Sequence, residues 1–262
     1  MREILSPEGI LVFWLMVARI GGLIFSAPLL GSPVIPRQVK VALALTLSFL
    51  MLPEVVSLSR ISCDSHPINY TLFLLAETGL GLIMGYTIKL IFVGVELSGQ
   101  IIGIQMGLGM AEFFDPQSGA EMSIISRFNS IMAMLIFISI NGHLFLFKSL
   151  MESFVSIPPG SFIFSSTLIQ MFAKTMGSIF VISLKAGIPV ILTLLLVQIV
   201  MGVINRVIPQ INIFMISIPL KILIGLFVLG FSMPYFLYFL EDEFGNFYSS
   251  LISILKMTQT GG

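Results

Sequence analysis

The chain has 262 residues, of which 56% are hydrophobic and only 10% charged, with a mean hydropathy of +1.06. Soluble domains carry about 25% charged residues, so this composition excludes a surface built chiefly for water. The 13 basic and 13 acidic residues cancel, leaving neither a basic patch for nucleic acid nor an acidic solvating arm.

In chain order, the first apolar run (10–30) is close to the ~20 residues of a bilayer crossing. It carries Arg19 inside it and no A-x-A pattern follows, so it reads as a retained segment rather than a signal peptide. GSPVIPRQ (31–38) ends the run with loop chemistry. The next run, 41–52, has only 12 residues, which suits a half-crossing or a helix buried in protein. The polar stretch 57–69 holds Cys63, the single cysteine. It can form no internal disulfide, has no second thiol or histidine cluster beside it for a metal, and reads as an inert loop thiol. Residues 72–110 are too long for one crossing, and Gly94 and Gly99 offer places to bend. Further apolar runs cover 128–147, 177–204 and 213–240, set apart by FFDPQSG (113–119), SIPPGSF (156–162) and NRVIPQIN (205–212).

Backbone in an apolar solvent must satisfy its own hydrogen bonds, and the short alternating strands of a barrel do not occur in the pattern. The expected class is therefore all-α and membrane-associated. Basic loops tend to stay cytoplasmic, and placing Arg37, Lys40 and Arg206 inside gives six crossings with both termini outside if 72–110 crosses once.

Six charges interrupt the apolar runs: Arg19, Glu77, Lys89, Glu96, Lys185 and Lys221. An ionised side chain at mid-bilayer costs about 2.5–3.5 kcal/mol on insertion scales. Snorkelling of long side chains near helix ends accounts for about half of them. Lys89 and Glu96 share a helical face but lie too far apart to pair, and neither Glu77 nor Glu96 has an obvious partner. His143, in INGHLF (140–145), reads as a packing histidine beside a turn or notch at Asn141–Gly142, since no second histidine or acid lies at helical spacing. The motifs G-x-x-x-x-G-K-[ST], H-E-x-x-H, C-x-x-C and G-x-S-x-G do not occur, so neither catalysis nor a cofactor or metal is expected.

Glycines stand four apart at Gly81 and Gly85, and again at Gly99, Gly103 and Gly107. Such a column bares one helix stripe, so that a second backbone can approach closely. Packing within the chain would explain it as well as a special role. The sequel is less ordinary: MGLGMAEFFDPQSG (106–119) mixes Met106, Met110, Phe113 and Phe114 with polar neighbours and a proline turn. It is unsuited to lipid, and its deformable thioethers and bulky rings suit the closing of a hole.

QMGLGMAEFFDPQSG (105–119), NGHLFL (141–146), GVINRVIPQINIFMISIPLKILIG (202–225) and the opening RIGGLIFSAPLLGSPVIPRQVKVALAL (19–45) together resemble the FliR/SctT family of type III export-gate proteins, nearest its flagellar branch. The likeness runs through nearly the whole chain in the family's order. It implies a non-catalytic subunit of the flagellar protein-export channel in the bacterial inner membrane, at the flagellar basal body. Its implied partners are FliP and FliQ, with FlhB and FlhA, unfolded flagellar export substrates and membrane lipid. It also implies a FliP-like portion (1–170) fused to a FliQ-like helical hairpin (177–240) and followed by a tail (241–262). By position, Met106, Met110, Phe113 and Phe114 would obstruct the closed channel, with Asp115 and Pro116 forming the turn. Gly99, Gly103 and Gly107 would pack helices, and Asn205, Arg206 and Pro209 would form a turn that meets a partner such as FlhB. Glu112 stands where a neutral residue is expected. An injectisome subunit would share all of these features, whereas a small-molecule secondary transporter would need a polar site at mid-depth and paired broken helices.

Overall fold

Helix α1 (Pro7–Ser26) begins where local chemistry favours a start: the Ser6 hydroxyl accepts the Gly9 amide at 3.1 Å, Pro7 opens the first turn, and Glu8 lies at the positive end of the dipole. This is a computed structural model, and it describes residues 6–58, 67–108, 123–162, 166–210 and 212–260. Among the described residues seven further helices follow: α2 (Arg37–Val56), α3 (Pro67–Met106), α4 (Ile124–Ser139), α5 (Gly142–Ser156), α6 (Ser166–Val207), α7 (Ile213–Phe231) and α8 (Met233–Thr260). No strand occurs among the described residues, so the chain is all-α. Four of the helices are long and apolar enough to cross a membrane, or up to six spans if α4–α5 and α7–α8 each count as one bent span.

The element boundaries correct two expectations. The 12-residue run at 41–52 is the centre of a 20-residue helix, α2. Helix is set by backbone hydrogen bonding and not by apolarity, so the polar Arg37, Gln38 and Lys40 belong to its first turns. Lys40 is buried there: its Nζ donates to the Gly31 carbonyl at 2.9 Å and lies 5.5 Å from the centre of the Phe25 ring. The second correction concerns α3, which runs unbroken for 40 residues through Gly94 and Gly99, about 60 Å at 1.5 Å per residue. A glycine leaves the backbone ladder intact, and here its effect is through the missing side chain.

Two breaks do interrupt apolar runs. Asn141 takes the left-handed conformation (φ 58°) and turns α4 into α5 through 64°, at the turn read from Asn141–Gly142. His143 is half-buried in the first turn of α5. The second break, 56° between α7 and α8 at Ser232, falls inside the run 213–240. Its sequence signal is Pro234, which has no amide to donate to the Gly230 carbonyl.

The chain packs as two compact units, each assembled from separated segments: 1–90 with 141–176 and 244–262, and 91–140 with 177–243. In the first, α1 and α3 approach closely. A side chain at Gly81 would strike the Arg19 carbonyl, one at Gly22 the Thr78 carbonyl, and one at Gly85 the Ser26 hydroxyl and Leu23 carbonyl. Leu15, Met16, Ile20 and Leu23 of α1 fill this core with Leu146, Leu150 and Phe154 of α5, all essentially unexposed.

Inside the same unit, Glu77 has a partner after all. Arg19 and Glu77 are both 0% exposed and form an ion pair of 2.5 Å from Nε to Oε2. The guanidinium also donates to the Ser153 carbonyl (3.0 Å), the Ser153 hydroxyl (3.2 Å) and the Ile157 carbonyl (3.0 Å), and stacks over Phe154 at 4.5 Å. The other Glu77 oxygen accepts the Gly160 amide at 2.9 Å. Arg19 thus caps the C-terminal end of α5, where carbonyls lack helical partners and a cation is favoured. The remaining interior charges sit differently: Lys89 and Lys185 are exposed, while Glu96 and Lys221 are half-buried. Removing one partner of a buried pair strands the other charge, so Glu77→Ala is expected to destabilise the chain by about 3–5 kcal/mol. Joint replacement of Arg19 and Glu77 by methionine is expected to recover only part of this, because the Ile157 carbonyl and Gly160 amide lose their partners. Thermal denaturation of the purified chain in detergent measures both.

Candidate functional site

The stem of the 106–119 segment is built in the second unit, where the end of α3 meets the start of α4. Gly99 backs onto the Ser126 backbone so closely that a side chain would collide with its Cα, and Gly103 lies against the Ser123 side chain. The bared stripe lets hydrogen bonds form between the two helices: the Ser126 hydroxyl donates to the Glu96 carbonyl at 2.7 Å, and the Ser123 hydroxyl to the Gly99 carbonyl at 3.4 Å. Ser123 is also the N-cap of α4, its hydroxyl accepting the Ser126 amide at 3.1 Å.

Gly107 plays another part. It has φ +85°, its amide bonds to the Ile104 carbonyl, and the Leu108 amide bonds to the Gly103 carbonyl, each at 3.0 Å. These are the two bonds of a Schellman motif, which ends α3 at a left-handed residue. A side chain at Gly107 would meet Ile218 only at ordinary contact distance, 3.6 Å, so the position acts as a helix cap rather than as a packing notch. The chain therefore enters the segment at Leu108 from a capped helix and leaves it at Ser123 into another.

Of the four side chains expected to obstruct an opening, Met106 is described, and it is 0% exposed. It packs with Ile102, Ile125, Val190 and Leu194, and its thioether fills the space above Gly225 of α7. A side chain wholly enclosed by its own chain cannot line an opening; Met106 anchors the stem instead. Met110, Phe113, Phe114, Asp115 and Pro116 lie outside the described residues, as does Cys63.

The second candidate feature is the turn between α6 and α7. Asn205 and Arg206 belong to the last helical turn of α6, and Pro209 to the turn after it; all three are exposed. Arg206 suits the negative end of the helix dipole. The Ile208 amide closes α6 onto the Ile204 carbonyl at 2.9 Å. The flanking helices present Phe180, Leu196 and Val207 on one side and Leu223, Phe227 and Phe231 on the other, each more than half exposed. Among these apolar groups Lys221 Nζ bonds to Gln198 Oε1 at 3.3 Å. Among the described residues no group of His, Cys, Asp and Glu could hold a metal ion. Sequence reasoning missed the Arg19–Glu77 pair, because nothing in one dimension brings positions 58 residues apart together.

The model of the family "Bacterial export proteins, family 1" matches residues 10–247. The chain is 35% identical over 236 residues to the flagellar biosynthetic protein FliR of Buchnera aphidicola subsp. Acyrthosiphon pisum, covering 87% of each. It is 32% identical over 249 residues to the FliR of Escherichia coli K12, covering 94% of this chain and 93% of that one. To the FliR of Aquifex aeolicus it is 31% identical over 248 residues, covering 95% of both.

The cap at Gly107 gives a direct test of the stem. A non-glycine residue in the left-handed region costs about 1–2 kcal/mol, so Gly107→Ala is expected to lower stability by that amount, while Gly202→Ala, where nothing stands within 4 Å, is expected to be neutral or slightly stabilising. Parallel thermal melts compare them.

Proposed function

This chain belongs to bacterial export proteins, family 1, as a membrane component of flagellar protein export, and on that premise we propose that it builds the export channel with FliP-like and FliQ-like subunits and contributes the segment that closes it. The observation that carries this reading is the clamped stem. A loop rich in glycine, methionine and phenylalanine leaves Leu108 and returns at Ser123, and both ends are fixed by hydrogen bonds and close glycine packing. A base fixed in this way is what an obstruction that must open requires. Met106 holds the base; Met110, Phe113 and Phe114 are the obstructing groups, and Asp115 and Pro116 shape the turn.

The breadth of exposed apolar surface on α6 and α7 supports burial by sister subunits together with lipid. The pair of helices α6 and α7 on either side of the turn at 208–210 supports the FliQ-like hairpin at 177–240, with the FliP-like portion at 1–170 and the tail at 241–262. The exposure of Asn205, Arg206 and Pro209 supports a contact of that turn with FlhB, with FlhA a further neighbour in the same inner-membrane gate. The substrate is an unfolded flagellar protein moved by energy supplied elsewhere. The relatives above bear flagellar names, which favours that branch over an injectisome. A solute transporter is disfavoured because the buried Arg19–Glu77 cluster has its hydrogen bonds already taken inside the first unit.

Deleting 110–116 is expected to leave the assembly formed but permeable to ions and small solutes; conductance of the complex in planar bilayers measures it, and an unchanged closed state would refute the role of the loop. Arg206→Glu is expected to reduce co-purification of FlhB several-fold while leaving FliP-like and FliQ-like chains bound.

A further inference from the structure

Prolines in the second unit leave helix carbonyls without their usual amides, and at Pro189 and Pro234 the structure treats those carbonyls unequally. Pro189, inside α6, has no N–H for the carbonyl of Lys185, four residues earlier. That carbonyl is taken from another helix: the Tyr235 hydroxyl donates to it at 2.9 Å. Tyr235 lies in the first turn of α8, three residues past Ser232, where the chain bends by 56°. Its ring stacks on Phe239 one turn later, with centroids 6.3 Å apart and planes 15° from parallel, which aims the hydroxyl at α6. The corner keeps the Ser232 amide on the Val228 carbonyl (2.8 Å) and the Phe236 amide on the Ser232 carbonyl (3.0 Å), but it lacks the bond that Pro234 would otherwise make. Pro234 cannot donate to the Gly230 carbonyl, and nothing stands within 4 Å of where a Gly230 side chain would be. Phe231, at the corner, is 82% exposed.

We propose that the α7–α8 joint is a hinge, and that Tyr235 is its latch, fixing the angle of α8 by occupying the carbonyl that Pro189 leaves free on α6. In an apolar surrounding a vacant carbonyl has no water to accept from, so catch and latch need one another. Release of the hydroxyl frees both the carbonyl and the angle of the joint, a two-state element of the hinge kind. The inference stands on this geometry alone and is independent of the export role.

The test is a distance measurement on the full chain in lipid nanodiscs, in a Cys63→Ser background. Spin labels at Leu223→Cys on α7 and Glu241→Cys on α8 bracket the joint. The parent is expected to give one narrow distance, and Tyr235→Phe a distribution at least twice as wide, with lowered thermal stability from the vacated carbonyl. Pro189→Ala added to Tyr235→Phe restores an amide to the Lys185 carbonyl. That double variant is expected to regain the parent's stability while its distance distribution stays wide. A parental width in Tyr235→Phe overturns the latch. So does a return to the narrow distance in the double variant, since the kink in α6 would then set the angle.

Discussion

A charge inside this molecule must find all its partners within the protein, and the Arg19–Glu77 pair meets that condition in full. The guanidinium has a carboxylate, two main-chain carbonyls and a serine hydroxyl, and the carboxylate has a second donor in the Gly160 amide. Three helices and the turn after α5 are thereby tied at one point. The pair is directional as well as charged: carbonyls face the arginine and an amide faces the glutamate, so their exchange would oppose like partial charges. Its value is the fixed geometry it imposes, because in general such pairs only roughly offset their own desolvation.

Glycine is the second recurrent device, and it is used in two ways. At Gly22, Gly81 and Gly85, and again at Gly99 and Gly103, the missing side chain lets backbones or short serines approach within hydrogen-bonding or dispersion range. At Gly107 the same residue type supplies a left-handed cap. The spacing of four is common to all three positions of the 99–107 column, yet the roles divide where the helix ends. The result is a stem held at both sides around a segment whose composition is unlike either helix.

Proline completes the pattern. A helix in an apolar medium keeps its carbonyls paired or finds substitutes, and Tyr235 is such a substitute at Pro189. The first unit is tied by polar bonds at its centre, and both units turn large apolar side chains outward, Phe49 and Leu50 on α2 as well as Phe227 and Phe231 on α7.

The sequence by itself determined the helical class, the apolar runs, the turn at Asn141–Gly142 and, through four separated motifs, the family. These depend on local composition and order, which a single strand of letters carries. It left Val41–Leu52 too short and α3 too broken, because apolarity marks what a helix touches and not where its hydrogen bonds stop. It placed Met106 with the obstructing side chains, since exposure depends on helices far away in the chain: Val190, Leu194 and Gly225 enclose it. Only the tertiary structure joined Arg19 to Glu77 and Tyr235 to the Lys185 carbonyl, separated by 58 and 50 residues. A charge or a vacant carbonyl announces that a partner is needed, but which group supplies it is decided by packing.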